Sequence, residues 1–298
     1  MALIVGLKSE QIKEIFHCRK GSENLYDPAI KWTGSKRSQA KLILEHFPKE
    51  IDTYYEPFCG GASVLRRLLS SDIKVKHFIC SDINSGLIDL WNEIINNPNS
   101  VVSHYNKLWC ELNKDDDRQR KKEYFSTIRE RYNKEHNPLD FMFIMRTTTN
   151  GMPRYNQRGE FNNSFHITRN GIEPNKLDKI VNEWSELLKL HCVDFVCCSY
   201  NDIKPSNKDF VYLDPPYANT KGMYFGTIDY EQLWNWMRCL PCNYILSFDG
   251  ISGDVNNTQE IPKDIYSKHE YLLSGNSSFK RTIGSSNNSV VYESIYMK

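Results

Sequence analysis

The chain lacks several features that would place a protein quickly. No run of about 18 apolar residues suggests a membrane span. Met1–Leu7 is apolar but too short for the core of a secretory leader, and it has no basic lead. The nine cysteines are scattered and odd in number, which argues against a disulfide framework and fits a reducing cytoplasm. Cys239 and Cys242 form one CxxC, but no second ligand pair stands at zinc-site spacing. Ordinary thiols at a helix or its end are therefore expected, and no metal. There is no internal repeat and no GxGxxG turn. The formal net charge is only +1, so overall charge announces no nucleic-acid partner.

What is present is ordinary in bulk and uneven in distribution. At 298 residues the chain is long enough for one large α/β domain with a smaller one inserted. Charged residues make up 25% and hydrophobic residues 40%, as in a typical globular protein. Between Arg118 and Ile172, however, eleven Lys/Arg face five acids, and the remainder is net acidic. A local basic patch is the footprint of a phosphate-backbone partner. A solvated helix face laced with salt bridges is the plainer reading of any one charge run.

Patterning gives the organisation. Ser9–Arg19 and Lys36–Phe47 are predicted helices, the second closed by Pro48. Thr53–Phe58 is a predicted strand, followed by a tight turn at Cys59-Gly60-Gly61 and a helix from Ala62 to Leu69. Val75–Cys80 is a second strand and Ser85–Ile95 a second helix. Strand–helix–strand–helix is the grammar of a doubly wound parallel sheet. Val101–His136 is polar, basic and helical in pattern; Phe141–Ile144 is apolar; Arg146–Phe165 is loop-like. Strand-like runs resume at His191–Cys198, Phe210–Leu213, Tyr244–Phe248, Glu270–Leu273 and Val290–Tyr296, with a Ser/Asn-rich loop at Ser274–Ser289. The expected division is a catalytic domain from 1–90 and 191–298, interrupted by a small, mainly helical insert at 91–190.

Three segments and one further acid carry chemistry. Asp214-Pro215-Pro216-Tyr217 follows the strand Phe210–Leu213 directly, and open α/β sheets bind ligands at the carboxyl ends of strands. Two prolines fix the backbone and remove two N–H donors. The Asp carboxylate and nearby carbonyls can then accept from an amine, and Tyr217 offers a face for a flat base. A bare strand end with a proline turn is the bland alternative. Glu56-Pro57-Phe58-Cys59-Gly60-Gly61-Ala62-Ser63 ends the first strand with glycines that let a ligand approach the backbone. Asp82 ends the next strand about twenty residues on, where an acid typically accepts from a ribose diol. Lys31-Trp32-Thr33-Gly34-Ser35-Lys36 comes before both, and could be no more than a helix N-terminus.

Taken in order, KWTGSK, EPFCGG, SDIN, the basic insert, SYND and DPPY resemble the Dam-type (alpha group) DNA adenine-N6 methyltransferases of bacteria and phages. The insert is similar too, in Asn150-Gly151-Met152-Pro153-Arg154-Tyr155-Asn156 and Arg158-Gly159-Glu160-Phe161-Asn162, as is the tail at Ser278-Phe279-Lys280-Arg281. The resemblance runs from about Lys31 to the C-terminus and implies a Rossmann-like S-adenosyl-L-methionine methyltransferase sheet with a DNA-recognition insert. It implies methyl transfer to the N6 amine of an adenine flipped out of double-stranded DNA, at a GATC-like site. It implies that Trp32, Lys36, Phe58, Gly60, Ser63, Asp82 and Asp202 hold the cofactor. Asp214, Pro215, Pro216 and Tyr217 hold the target base. Lys31, Asn150, Met152, Arg154, Asn156, Lys280 and Arg281 contact DNA. A monomer in the cytoplasm of a bacterial or phage-infected cell is expected, away from membranes, with a cognate restriction endonuclease as a compatible partner. Two departures stand out: Thr149 replaces an aromatic wedge, and Cys59-Gly60-Gly61-Ala62 differs from the commoner GxG spacing. A DNA-binding relative without catalysis, or without adenine specificity, acting as a regulator, is the competing reading.

Overall fold

The apolar runs become the strands of one sheet. The computed structural model describes residues 26–166, 168–217, 225–226, 228–252, 255–258, 260–276 and 290–298. The helix expected at Ser9–Arg19 lies outside them, as do Lys280 and Arg281. The strands are β1 (Glu50–Glu56), β2 (Lys74–Asp82), β3 (Val193–Cys197), β4 (Phe210–Leu213), β5 (Asn243–Ser252), β6 (Val255–Asn256), β7 (Lys268–Asn276) and β8 (Val290–Met297). Their order is 3-2-1-4-5-8-7, with the short β6 pairing with β5 off that path. The first five in this order are parallel, whereas β8 runs antiparallel to both β5 and β7.

β4 shows why the sheet is covered on both sides. All four of its residues are buried. Side chains alternate across a strand, and Phe210 and Tyr212 enter one core while Val211 and Leu213 enter another. Helices therefore pack on each face, as the doubly wound reading expects.

The helices start where capping chemistry allows. After α1 (Ala40–Leu44) and α2 (Ser63–Leu68), α3 (Ser85–Asn96) is capped by the Asn84 side chain, which accepts from Leu87 N. α4 (Pro98–Leu112), α5 (Arg118–Glu135) and α6 (Pro138–Thr147) follow, with Asp117 and Asn137 capping the last two. α7 (Pro174–Leu190) leads back into β3, and α8 (Tyr230–Arg238) precedes β5. The stretch Val101–His136 is thus two helices, broken at 113–117 where acids gather to cap the second. α1 is much shorter than the expected Lys36–Phe47, because residues 36–39 form a turn that carries the Lys36 side chain inward. The loop-like region beyond Thr147 holds one 3-10 turn (Thr149–Gly151) and two isolated antiparallel bridges, Thr148 with Phe165 and Tyr155 with Phe161.

The core is continuous from sheet to helices. Trp91 of α3 lies flat against Phe195 of β3 at 5.0 Å, tilts against Trp184 of α7, and donates from its indole to Gly60 O. At Gly86 a Cβ would stand 2.1 Å from the Tyr132 hydroxyl, so α3 and α5 meet there only because of glycine. Among the described residues no helix is long and apolar enough to cross a membrane. Cys239 ends α8 and Cys242 is buried just before β5.

Candidate active site

β1 leads by way of α2 to β2 on one side, while β4 sits on the other. The direction of strand order therefore reverses between β1 and β4, and the carboxyl ends of these two strands diverge into a crevice. A cavity of about 1050 Å³ opens there. Its walls include the turn after β1, the end of β2, the Lys31–Lys36 segment and the loop after β4.

The β1 turn is shaped by glycine. Gly60 has φ +46, and a Cβ on it would collide with the Trp32 ring at 2.7 Å. Trp32 therefore lies against the bare backbone of the turn and closes one wall. Gly60 N donates to Asp82 at 3.4 Å, and Asn84 N donates to the same carboxylate at 3.0 Å. Burial pushes the Asp82 carboxyl up to about 6, against the lowering effect of these backbone donors. Phe58 stacks on Tyr200 at 5.6 Å, and both face the cavity. Ser63 lines it as well and bonds Ser35 through their hydroxyls.

The loop after β4 holds the densest charge. Lys36 Nζ is 2.7 Å from Asp214 Oδ1 and 3.6 Å from Glu293 Oε2, with its own side chain only 4% exposed. The ammonium also lies 4.9 Å from the centre of the Tyr217 ring, whose hydroxyl donates to Glu293 at 3.3 Å. Burial pushes the Asp214 carboxyl up to about 6; Lys36 pulls it down and Glu293 raises it again. Glu56 is pushed up to about 8 by burial, opposed by the Tyr54 hydrogen bond. Pro216 O already accepts from the Tyr230 hydroxyl at 2.7 Å. That leaves the Asp214 carboxylate and the Pro215 carbonyl as acceptors at the strand end.

Lys31, Asn150 and Met152 reach the same cavity, and Arg169 joins them. Gly151 explains the junction. Its φ is +63, Thr33 N donates to its carbonyl at 3.0 Å, and a Cβ would stand 2.7 Å from Lys31 O.

Of the residues expected to hold a cofactor, six line this cavity: Trp32, Lys36, Phe58, Gly60, Ser63 and Asp82. Asp202 does not; its carboxylate accepts from Ser199 N at 2.9 Å and closes its own turn. Asp214, Pro215, Pro216 and Tyr217 all line it. Arg154 and Asn156 lie outside. Arg154 is exposed with no side-chain partner among the described residues, whereas Asn156 is spent on its own turn, accepting from Arg158 N and Glu160 N. Thr149 turns its hydroxyl onto Ser164 O.

The basic patch is thinner than its count. Arg120 binds Asp115, Lys121 faces Asp116, Arg129 donates to Asn163 O, Arg131 binds Asp140, and Arg146 is buried against the Pro28 and Ala29 carbonyls. Five of the eleven cations are thus structural. Three side chains escaped the motif reading: Glu293, Tyr200 and Arg169. Tyr200 sits within SYND and could have been flagged as an aromatic just past the strand-like run His191–Cys198; Glu293 carries only the faint signal of an acid inside an apolar final strand.

Comparisons with known proteins agree with this geometry. The chain is 33% identical over 207 residues to the Type II methyltransferase M.MjaIII of Methanocaldococcus jannaschii, covering 64% of this chain and 68% of that one. It is 29% identical over 198 residues to the modification methylase StsI of Streptococcus sanguinis, and 29% identical over 195 residues to the DNA adenine methylase of Vibrio cholerae. These alignments cover 65% and 63% of this chain, and span 29% and 64% of those two relatives. A model of the D12 class N6 adenine-specific DNA methyltransferases matches residues 32–238, and the chain belongs to that family.

Proposed function

We propose that this protein transfers a methyl group from S-adenosyl-L-methionine to the N6 amine of an adenine flipped out of duplex DNA, within a GATC-like site. The observation that carries this reading is Asp214. It is a partly buried carboxylate at the end of β4, paired with one ammonium and set across the switch point from a glycine turn and a second acid.

The cavity fits the donor. Its volume of about 1050 Å³ is at the upper end for one small-molecule ligand, which suits a nucleoside cofactor and a base together. Asp82 would accept from the ribose hydroxyls, Phe58 and Tyr200 supply an aromatic wall for a purine, and Lys36 lines the same space. The cofactor brings a methyl already activated on a sulfonium. The protein's share is then position and hydrogen bonding. Asp214 and the Pro215 carbonyl accept from the target amine and hold its lone pair toward the methyl, while Tyr217 stacks on the base. Extruding the base costs a few kcal/mol. We assign residues 91–190, with Lys31, to holding and reading DNA, and Arg154 to a guanine of the site. The modification methylase among its relatives suits a pairing with a restriction endonuclease.

The test is transfer of a labelled methyl to unmethylated duplex DNA, followed by mapping of the modified adenines. Label in DNA at adenine supports the reading. Tight DNA binding without transfer would favour a regulator instead.

A further inference from the structure

Glu293 is an acid in the middle of a strand otherwise given to packing: its neighbours Ser294, Ile295 and Tyr296 are buried. It is far in sequence from Lys36 and Tyr217, which its carboxylate reaches. We propose that Glu293 is a positioning residue for methyl transfer, sharing the Lys36 ammonium with Asp214 and tethering the Tyr217 hydroxyl. This rests on the reading of Asp214 as the acceptor for the target amine.

The backbone is arranged to bring it there. β5 and β8 pair Phe248 with Ser294 and Ile251 with Tyr292, so two β5 residues, Asp249 and Gly250, face the single residue Glu293. Such a bulge re-aims the side chains beside it. A Cβ at Gly250 would stand 2.1 Å from Tyr292 O and 2.9 Å from Glu293 Cα, so β8 comes this close only because position 250 is glycine. The carboxylate then reaches both the Lys36 ammonium at 3.6 Å and the Tyr217 hydroxyl at 3.3 Å.

The charges explain the use. A buried lysine facing one buried acid would form a closed pair, with the acid's lone pairs engaged. Two acids sharing one ammonium leave neither fully neutralised, and that ammonium also donates to Gly34 O at 3.1 Å. Asp214 therefore keeps acceptor capacity for an amine. The Tyr217 ring, held at its hydroxyl by Glu293 and at its face by Lys36, is fixed as a platform beside that acceptor. The groups acting on Asp214 are Lys36, Glu293 from β8, Tyr217 and Tyr212 from its own segment, and Glu56 from β1. Among them Glu293 raises its pKa, and the Tyr217 hydroxyl, whose one proton lies between Glu293 and Asp214, lowers it.

The opposed signs make the test. kcat/KM is measured from about pH 4 to about pH 9 on unmethylated duplex DNA of mixed sequence, and its acid limb reports the free enzyme. Removing the charge with Glu293→Gln should move that limb down by roughly half a unit to two units and lower kcat about tenfold. Tyr217→Phe should move the limb upward. If Glu293→Gln does not fold, Glu293→Asp, which draws the charge back by one methylene, should shift the limb down by less and still lower kcat. An active wild type whose limb stays put, or rises, in the Glu293 variant overturns this inference alone. A wild type that methylates no DNA overturns the parent reading with it.

Discussion

Asp140 in the helical stretch and Asp214 at the switch point are both withdrawn from water and both touch a cation, yet they are set up in opposite ways. Asp140 is fully buried and receives Arg131 Nε at 2.6 Å and His104 Nε2 at 2.7 Å, with a second Arg131 contact at 2.5 Å. Burial pushes its carboxyl up, but these hydrogen bonds outweigh it and hold the group below the usual range. Asp214 has one ammonium and one Tyr217 hydroxyl, both of which it shares with a second acid close by, and burial carries its carboxyl up to about 6. A structural acid is saturated with donors. An acid kept under-satisfied in a cavity is poised for a ligand, which is how perturbed groups mark functional sites.

The comparison can be broken at either end. Asp214→Ala should lower turnover on DNA at least about a thousandfold while the fold survives; near-normal turnover would remove Asp214 from the site. Asp140→Ala should do the reverse, destabilising the protein by about 1–3 kcal/mol, because Arg131 and His104 lose a shared buried acceptor while their own side chains keep some access to water. Urea unfolding measures it. Asp140 has a depressed pKa, so its contribution is present above the ordinary carboxylate range and is lost as pH falls through the folded value. A variant as stable as wild type at pH 7 would mean the cluster does not hold α4, α5 and α6 together.

Asp82 sharpens the contrast, since its donors among the described residues are backbone N–H groups. Its pKa is raised to about 6, so ionisation works against the fold. The folded state holds the proton longer than the unfolded chain, and stability contributed by this group falls as pH rises from about 4 to about 6. Asp82→Asn should therefore melt no lower than wild type at pH 8, yet bind S-adenosylmethionine roughly tenfold more weakly. Unchanged affinity by calorimetry would reject its ribose role. The smallest expected effect is at Arg154, which lies outside the cavity. A guanine reader is worth about 1–3 kcal/mol of discrimination at one position, whereas a phosphate contact weakens all sites alike and lowers the salt slope by about one. Mapping methylated adenines made by wild type and Arg154→Ala separates the two.

The sheet was legible where burial dictates composition. Phe210–Leu213 appears in the sequence with the bounds it has in the fold, because a strand covered on both faces must be apolar throughout. Motif residues at strand ends were legible for the same reason: Asp82 and Asp214 punctuate apolar runs. α7 and α8 were not singled out, although each buries a helical stripe with a tryptophan on it, Trp184 and Trp234. Glu293 was barely legible because its placement beside Lys36 depends on a bulge and on strand order, and neither has a local signature. The basic patch misled by its count, since sequence cannot tell Arg131, committed to a buried acid, from Arg154, which points to solvent.

Gly151 has a bearing on how such proteins could be recombined. Its carbonyl takes Thr33 N, and its bare Cα admits the Lys31 backbone. The loop assigned to reading DNA is therefore moulded onto a strip of chain more than a hundred residues earlier. A recognition segment transplanted from a relative would arrive without its counterpart, and the two would meet as strangers at the rim of the cavity. Modularity here runs through two pieces of chain, and a hybrid that exchanges both is the natural unit of swapping.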